Sequence, residues 1–83
     1  MAVFINWTLK DKIKYHRRRY IEYIDSITDA KSVKNNYTPK VQYSTMFLNG
    51  AYGHRVNENK MTWSERMGYW RGQRARVKDK YNR

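Results

Sequence analysis

The stretch LKDKIKYHRRRYIEYIDSI, Leu9 to Ile27, decides the fold class. At about 100° per residue, Leu9, Ile13, His16, Tyr20, Ile24 and Ile27 fall within one narrow stripe. That is a helical period held over about five turns. Asn6 or Thr8 can serve as N-cap. Lys10, Lys14 and Arg17 flank one edge of the stripe, and Lys12 and Arg19 flank the other. Asp11, Glu22, Asp25 and Asp29 gather behind it, where Arg18 can pair with Glu22 at i,i+4. The spacing predicts an amphipathic helix over residues 8–28 with a solvated, mixed-charge rear face.

Downstream, residues 30–38 (AKSVKNNYT) read as a loop, with Asn35-Asn36 as turn formers. Thr38-Pro39 then sets an N-cap before a proline at the first helical position. A second helix is predicted over 39–56, with Val41, Thr45, Leu48, Tyr52 and Val56 on one stripe and Phe47, Gly50 and Gly53 toward the other side. Asn57 to Lys60 make a turn. Thr62-Trp63-Ser64-Glu65 fits a capping box, in which the Thr62 hydroxyl accepts from the Glu65 amide and the Glu65 carboxylate reaches back to Thr62. The third helix is predicted over 63–80, with Trp63, Met67, Trp70, Val77 and Tyr81 as its core stripe and residues 81–83 as a tail. Arg74 falls inside that stripe. It is read first as a side chain snorkelling off the stripe or lying over Trp70, with a stripe that is partly an interface as the second reading.

Glycine inside a helix costs about 1 kcal/mol relative to alanine. Gly50, Gly53, Gly68 and Gly72 are therefore assigned to close approach between helix backbones. The segment Phe47–His54 aligns without gaps on Tyr69–Arg76: two bulky residues precede a glycine, a small residue follows three later, and a base comes next. Either a short internal repeat or a coincidence of two glycine-bearing helices produces this match. Upstream, the alternation in MAVFINW, residues 1–7, marks an apolar arm compatible with a brief strand. The expected architecture is a single all-α domain of three helices over the 83 residues. Its second and third helices form an αα-hairpin, and the first covers their apolar stripes. Apolar residues on both faces of the second helix also admit a homodimer.

Composition narrows the function. The 18 Lys and Arg outnumber the 7 Asp and Glu, for a net charge of +11 on 10.2 kDa. There is no cysteine, hence no disulfide framework, thiolate nucleophile or cysteine-based metal site. Aromatics are 16% of the chain, too many for a disordered polycation. No apolar stretch approaches the roughly 20 residues of a membrane span, and the order of charge and apolar residues is not that of a secretory signal. A cytoplasmic protein is expected. The charge is patterned: residues 10–19 carry +5, residues 20–30 carry −3, and residues 66–83 carry +6.

Catalysis finds little support. His16 and His54 are the only histidines and fall on different predicted helices. His16, on the apolar stripe, reads as a hydrogen-bonded core histidine, and His54 as a helix C-terminal histidine favoured by the macrodipole. No phosphate-binding glycine loop or Ser-His-Asp pattern is present. No cofactor, metal site or enzymatic activity is expected. Lys and Arg neutralise phosphates and release counterions, and a net charge of +11 exceeds the roughly 2–8 that solubility requires of a small domain. Nucleic acid, DNA or RNA, is therefore the leading partner. The predicted contacts are Lys10, Lys14 and Arg17 on the first helix and Arg71, Arg74, Arg76, Lys78 and Lys80 on the third, with Tyr69 and Trp70 available to stack on unpaired bases. The alternative is a regulator or inhibitor of the phage or mobile-element kind, docking on an acidic surface of a larger host or defence protein or ribonucleoprotein. A basic amphipathic helix can also lie on anionic lipid, but here its stripe is needed for the core.

Overall fold

The computed structural model describes residues 7–81. Apart from Trp7, the arm and its candidate strand lie outside the described residues, as do Asn82 and Arg83 of the tail. The fold is all-α. Helices run over Leu9–Ser26 (α1), Ala30–Asn36 (α2), Pro39–Tyr52 (α3) and Trp63–Tyr81 (α4), with one 3-10 turn at Glu58–Lys60. Among the described residues there is no strand.

Side chains satisfy free amides at the starts of α1, α2 and α4, whereas α3 starts at Pro39 with no side-chain hydrogen bond from Thr38. Thr8 caps α1 through a reciprocal box: its hydroxyl accepts from the Asp11 amide at 3.2 Å, and the Asp11 carboxylate accepts from the Thr8 amide at 3.2 Å. Thr62 and Glu65 repeat the arrangement at α4, at 3.3 and 2.9 Å. The loop expected over 30–38 is instead largely α2. Asp29 caps it by accepting from the Ser32 amide at 2.8 Å, and the Tyr23 hydroxyl holds it to α1 by donating to the Val33 carbonyl at 3.1 Å. A seven-residue helix with a single exposed valine has no apolar period to read. The domain therefore has four helices among its described residues rather than three.

The second helix also ends earlier than its predicted limit at Val56. Gly53 takes the left-handed conformation, φ +78°, and the Gly53 and His54 amides close back on the Gly50 and Asn49 carbonyls. Gly53 is thus a helix terminator and not a site of close helix packing, because only glycine adopts that φ without strain.

The remaining three glycines lie at the α3–α4 contact, which is the largest in the fold. A Cβ on Gly72 would overlap the Phe47 carbonyl oxygen and sit 2.9 Å from the Ala51 amide nitrogen. One on Gly50 would overlap the Tyr69 carbonyl oxygen and sit 2.8 Å from the Gln73 nitrogen. Gly68 meets the Tyr43 backbone in the same way. Gly50 and Gly72 occupy equivalent positions in the two matching segments, so the segments pack reciprocally, each glycine against the other segment's backbone.

This contact turns α4 over relative to the expected orientation. Its buried residues are Gly68, Tyr69 and Gly72, while Trp63 is 65% exposed, Tyr81 81% and Trp70 44%. A Trp stripe cannot enter a contact in which backbones nearly touch, so the small-residue side faces inward and the aromatic stripe faces out. Tyr69 is buried, donating its hydroxyl to the His54 carbonyl at 2.9 Å, and it cannot stack on a base. The core consists of Tyr23, Val41, Phe47, Ala51 and Tyr69 around the fully buried Ser44. On α1 the deepest residue is Tyr23, whereas Ile24 from the predicted stripe is exposed. On α3 the inward face is Val41, Ser44, Phe47 and Ala51, and Tyr52 points to solvent. α1 rests on α3 and barely meets α4, which leaves a trough between the two long helices.

Candidate nucleic-acid interface

The trough is a groove of about 520 Å³. α1 contributes Lys12, Tyr15 and His16, α3 contributes Tyr43 and Phe47, and α4 contributes Arg71, Arg74, Ala75 and Lys78, with Trp7 at the entrance to α1. Helical spacing accounts for the walls: Arg71, Arg74 and Lys78 lie within about 60° on one side of α4, and Lys12 and Arg19 share one side of α1. The arrangement is a floor of rings between cationic edges. No carboxylate lines the groove among the described residues.

The rings are ordered against one another. Tyr15 meets Trp7 edge-on at 5.4 Å and His16 edge-on at 5.1 Å, and His16 lies 4.2 Å from Phe47. A second hollow of about 390 Å³ continues from the first, sharing Tyr43 and Arg71 and adding Arg19, Lys40, Met67 and Trp63. From Trp63 to Lys78 the combined groove follows α4 for about 22 Å.

The groove floor rests on a buried polar cluster. Nδ1 of His16 lies 2.9 Å from the Ser44 hydroxyl, and Nη1 of Arg19 donates to the same oxygen at 3.2 Å. The Arg19 guanidinium also lies over the Tyr15 ring, 4.9 Å from its centroid, and donates to the Tyr15 hydroxyl. Burial first, and the adjacent Arg19 charge second, push the His16 imidazole down to about 4. His16 is therefore neutral at pH 7, a hydrogen-bonded histidine half inside the core. Among the described residues no cluster of three or more His, Asp or Glu could hold a metal ion.

The structure distributes the predicted contacts unevenly. Arg71, Arg74 and Lys78 come together on the groove wall. Arg74 is exposed on a stripe that faces outward. Arg76 lies behind, with its guanidinium against Gly53. Lys80 is exposed beyond the groove. Lys10, Lys14 and Arg17 are exposed on the opposite side of α1, about 140–160° from Lys12, and are not joined to the rest. Trp70 is tied to the 3-10 turn, donating Nε1 to the Glu58 carboxylate and meeting Trp63 edge-on at 6.1 Å. The charge count had no way to select Lys12, Arg19 and Lys40, and Tyr15 and Tyr43 were missed because they lie off the apolar stripes. The one legible signal was that Lys12 and Arg19 share an edge of α1. Glu65 is held below the usual carboxylate range: burial raises it, but hydrogen bonds from Thr62 and from the Tyr37 hydroxyl, at 2.6 Å, outweigh that.

No helix among the described residues is long and apolar enough to cross a membrane. Comparison with protein-family models, with curated proteins and with solved structures finds no match.

Proposed function

We propose that this protein is a non-enzymatic nucleic-acid-binding module and that the α1–α4 groove is its contact surface. The observation that carries this reading is the convergence of Lys12, Arg71, Arg74 and Lys78 from two helices around one groove without a carboxylate. Like charges brought together in a fold repel, and an anionic polymer offsets that repulsion while releasing its condensed counterions. None of the seven acids lines the groove: Asp11, Asp29 and Glu65 cap helices, Glu58 accepts from Trp70, Glu22 and Asp25 are exposed on α1, and Asp79 follows Lys78 on α4. They keep the field directional.

The test is binding of the full chain to random duplex DNA, single strands and structured RNA over a salt series. The expected result is binding to at least one of them at about 50 mM salt, weakening steeply toward about 200 mM. Absence of binding to all three at the lower salt overturns the reading and moves the partner to an acidic protein surface.

A further inference from the structure

We infer that the groove takes a single-stranded polynucleotide, with unpaired bases laid on its ring floor and phosphates on its cationic edges. This rests on the nucleic-acid reading of the same groove and specifies the form of its ligand. The first argument is shape. A duplex is read by an element that protrudes into its grooves, a helix or a ribbon. Here the exposed Arg71, Arg74 and Lys78 stand beside a concave trough lined by the buried Phe47 and the half-buried His16 and Tyr43. A duplex shields its bases within the stack and would meet only the rims. A single strand can turn its bases inward.

The second argument is the chemistry of the floor. Every base presents a flat π face, and aromatic side chains offer sequence-tolerant stacking surfaces between cations that track the backbone. Tyr15 is 40% exposed although it lies in the groove, and Trp63 is the most exposed tryptophan described, at the far end of the connected hollow. Tyr43 is shared by both hollows, midway between them. An exposed ring in each hollow and a partly exposed ring shared by both suit a chain of bases better than an acidic peptide, which would need cations but not this floor. The Arg19 guanidinium, anchored on Ser44 and lying over Tyr15, keeps that ring from swinging away. At about 3.4 Å per stacked base, 22 Å of groove admits about six nucleotides.

The experiment uses the full chain and fluorescence anisotropy. Its probes are oligo(dT) and oligo(rU) of graded length, a hairpin duplex of equal phosphate number, and an abasic strand of equal phosphate number. The expected result is binding of one or both single strands at least tenfold tighter than the duplex and the abasic strand, with affinity levelling off near six to eight nucleotides. DNA and RNA are distinguished by the two homopolymers. Tyr15→Ala and Trp63→Ala should each weaken single-strand binding about 5- to 150-fold, the effect of losing one stacked base. Tyr15→Phe should bind as the parent does, and duplex binding should be unchanged in all three. Circular dichroism confirms that the variants are folded. Duplex or abasic strand bound as tightly as the homopolymers overturns the single-strand inference while leaving nucleic-acid binding standing. Failure of every polymer to bind at low salt overturns the underlying reading instead.

Discussion

Nδ1 of His16 on α1 lies 2.9 Å from the hydroxyl of Ser44 on α3, a residue fully buried in the core. Arg19 donates to the same oxygen from one turn further along α1. A single small hydroxyl thus joins α1 to α3 and underlies the groove floor. Removing it as Ser44→Ala leaves Nδ1 and the guanidinium short of a partner, and should destabilise the fold by about 1–3 kcal/mol in urea unfolding. Loss below about 0.5 kcal/mol would show that the cluster contributes little.

Acid should act through the same residue. His16 is held near 4 in the folded chain against an ordinary value of 6.5, so below 6.5 the unfolded chain binds more protons. The stabilising contribution is complete above about pH 6.5 and is lost as pH falls through 4. Allowing for partial solvent screening, it amounts to about 1–2 kcal/mol. Stability measured from pH 7 to pH 4 should fall, and His16→Asn should flatten that fall specifically between pH 6.5 and 4.

Gly72→Ala separates helix propensity from packing. On an isolated helix alanine would gain about 1 kcal/mol. Here the added methyl meets the Phe47 and Ala51 backbone, which cannot swing aside as a side chain can. A net loss of about 2 kcal/mol or more is expected, read as a lower denaturation midpoint at unchanged m-value. Gly53→Ala should cost less, about 1 kcal/mol, because its penalty is the left-handed φ of one residue.

The groove and the outer edge of α1 make different predictions for salt dependence. Arg71→Ala, Arg74→Ala and Lys78→Ala should each reduce the slope of log K against log salt by about 0.7–0.9, the value of one phosphate contact. Alanine at Lys10, Lys14 or Arg17 should leave the slope nearly unchanged. The reverse pattern would move the contact surface to the far side of α1.

Tyr37→Phe tests the tie between the α2–α3 corner and α4. The Tyr37 hydroxyl donates to Glu65 at 2.6 Å, and burial followed by that bond raises its own ionisation above the ordinary tyrosine range. Its removal should cost about 1 kcal/mol and let the Glu65 carboxyl titrate at higher pH, visible by NMR. Glu65 is lowered in the fold, so its stabilising contribution is present above its unfolded value and lost as acid protonates it. The variant should therefore show a shallower decline at low pH.

Helices announced by local chemistry were legible in the chain. The Thr8–Asp11 box lies at the predicted first-helix start, while Pro39 and the Thr62–Glu65 box mark the other two long helices. α2 was not legible, because Asp29 and Ser32 cap a segment too short to carry a period. Of the site, Arg71, Arg74 and Lys78 could be chosen from the third helix. Lys12, Arg19 and the rings Tyr15 and Tyr43 could not, because their importance depends on which helix lies across from them.

By itself the sequence determined an all-α domain, the starts of its long helices and a cationic excess too large for solubility alone. Only the tertiary structure decided which face of each helix turns inward. Side-chain hydrophobicity favoured the Trp63–Trp70–Tyr81 stripe as core, but Gly50, Gly68 and Gly72 let α3 and α4 pack backbone against backbone. That contact has no room for an indole. The aromatic stripe therefore stays outside, α1 settles on α3 and stands off α4, and the charge that composition could only count becomes the walls of a groove.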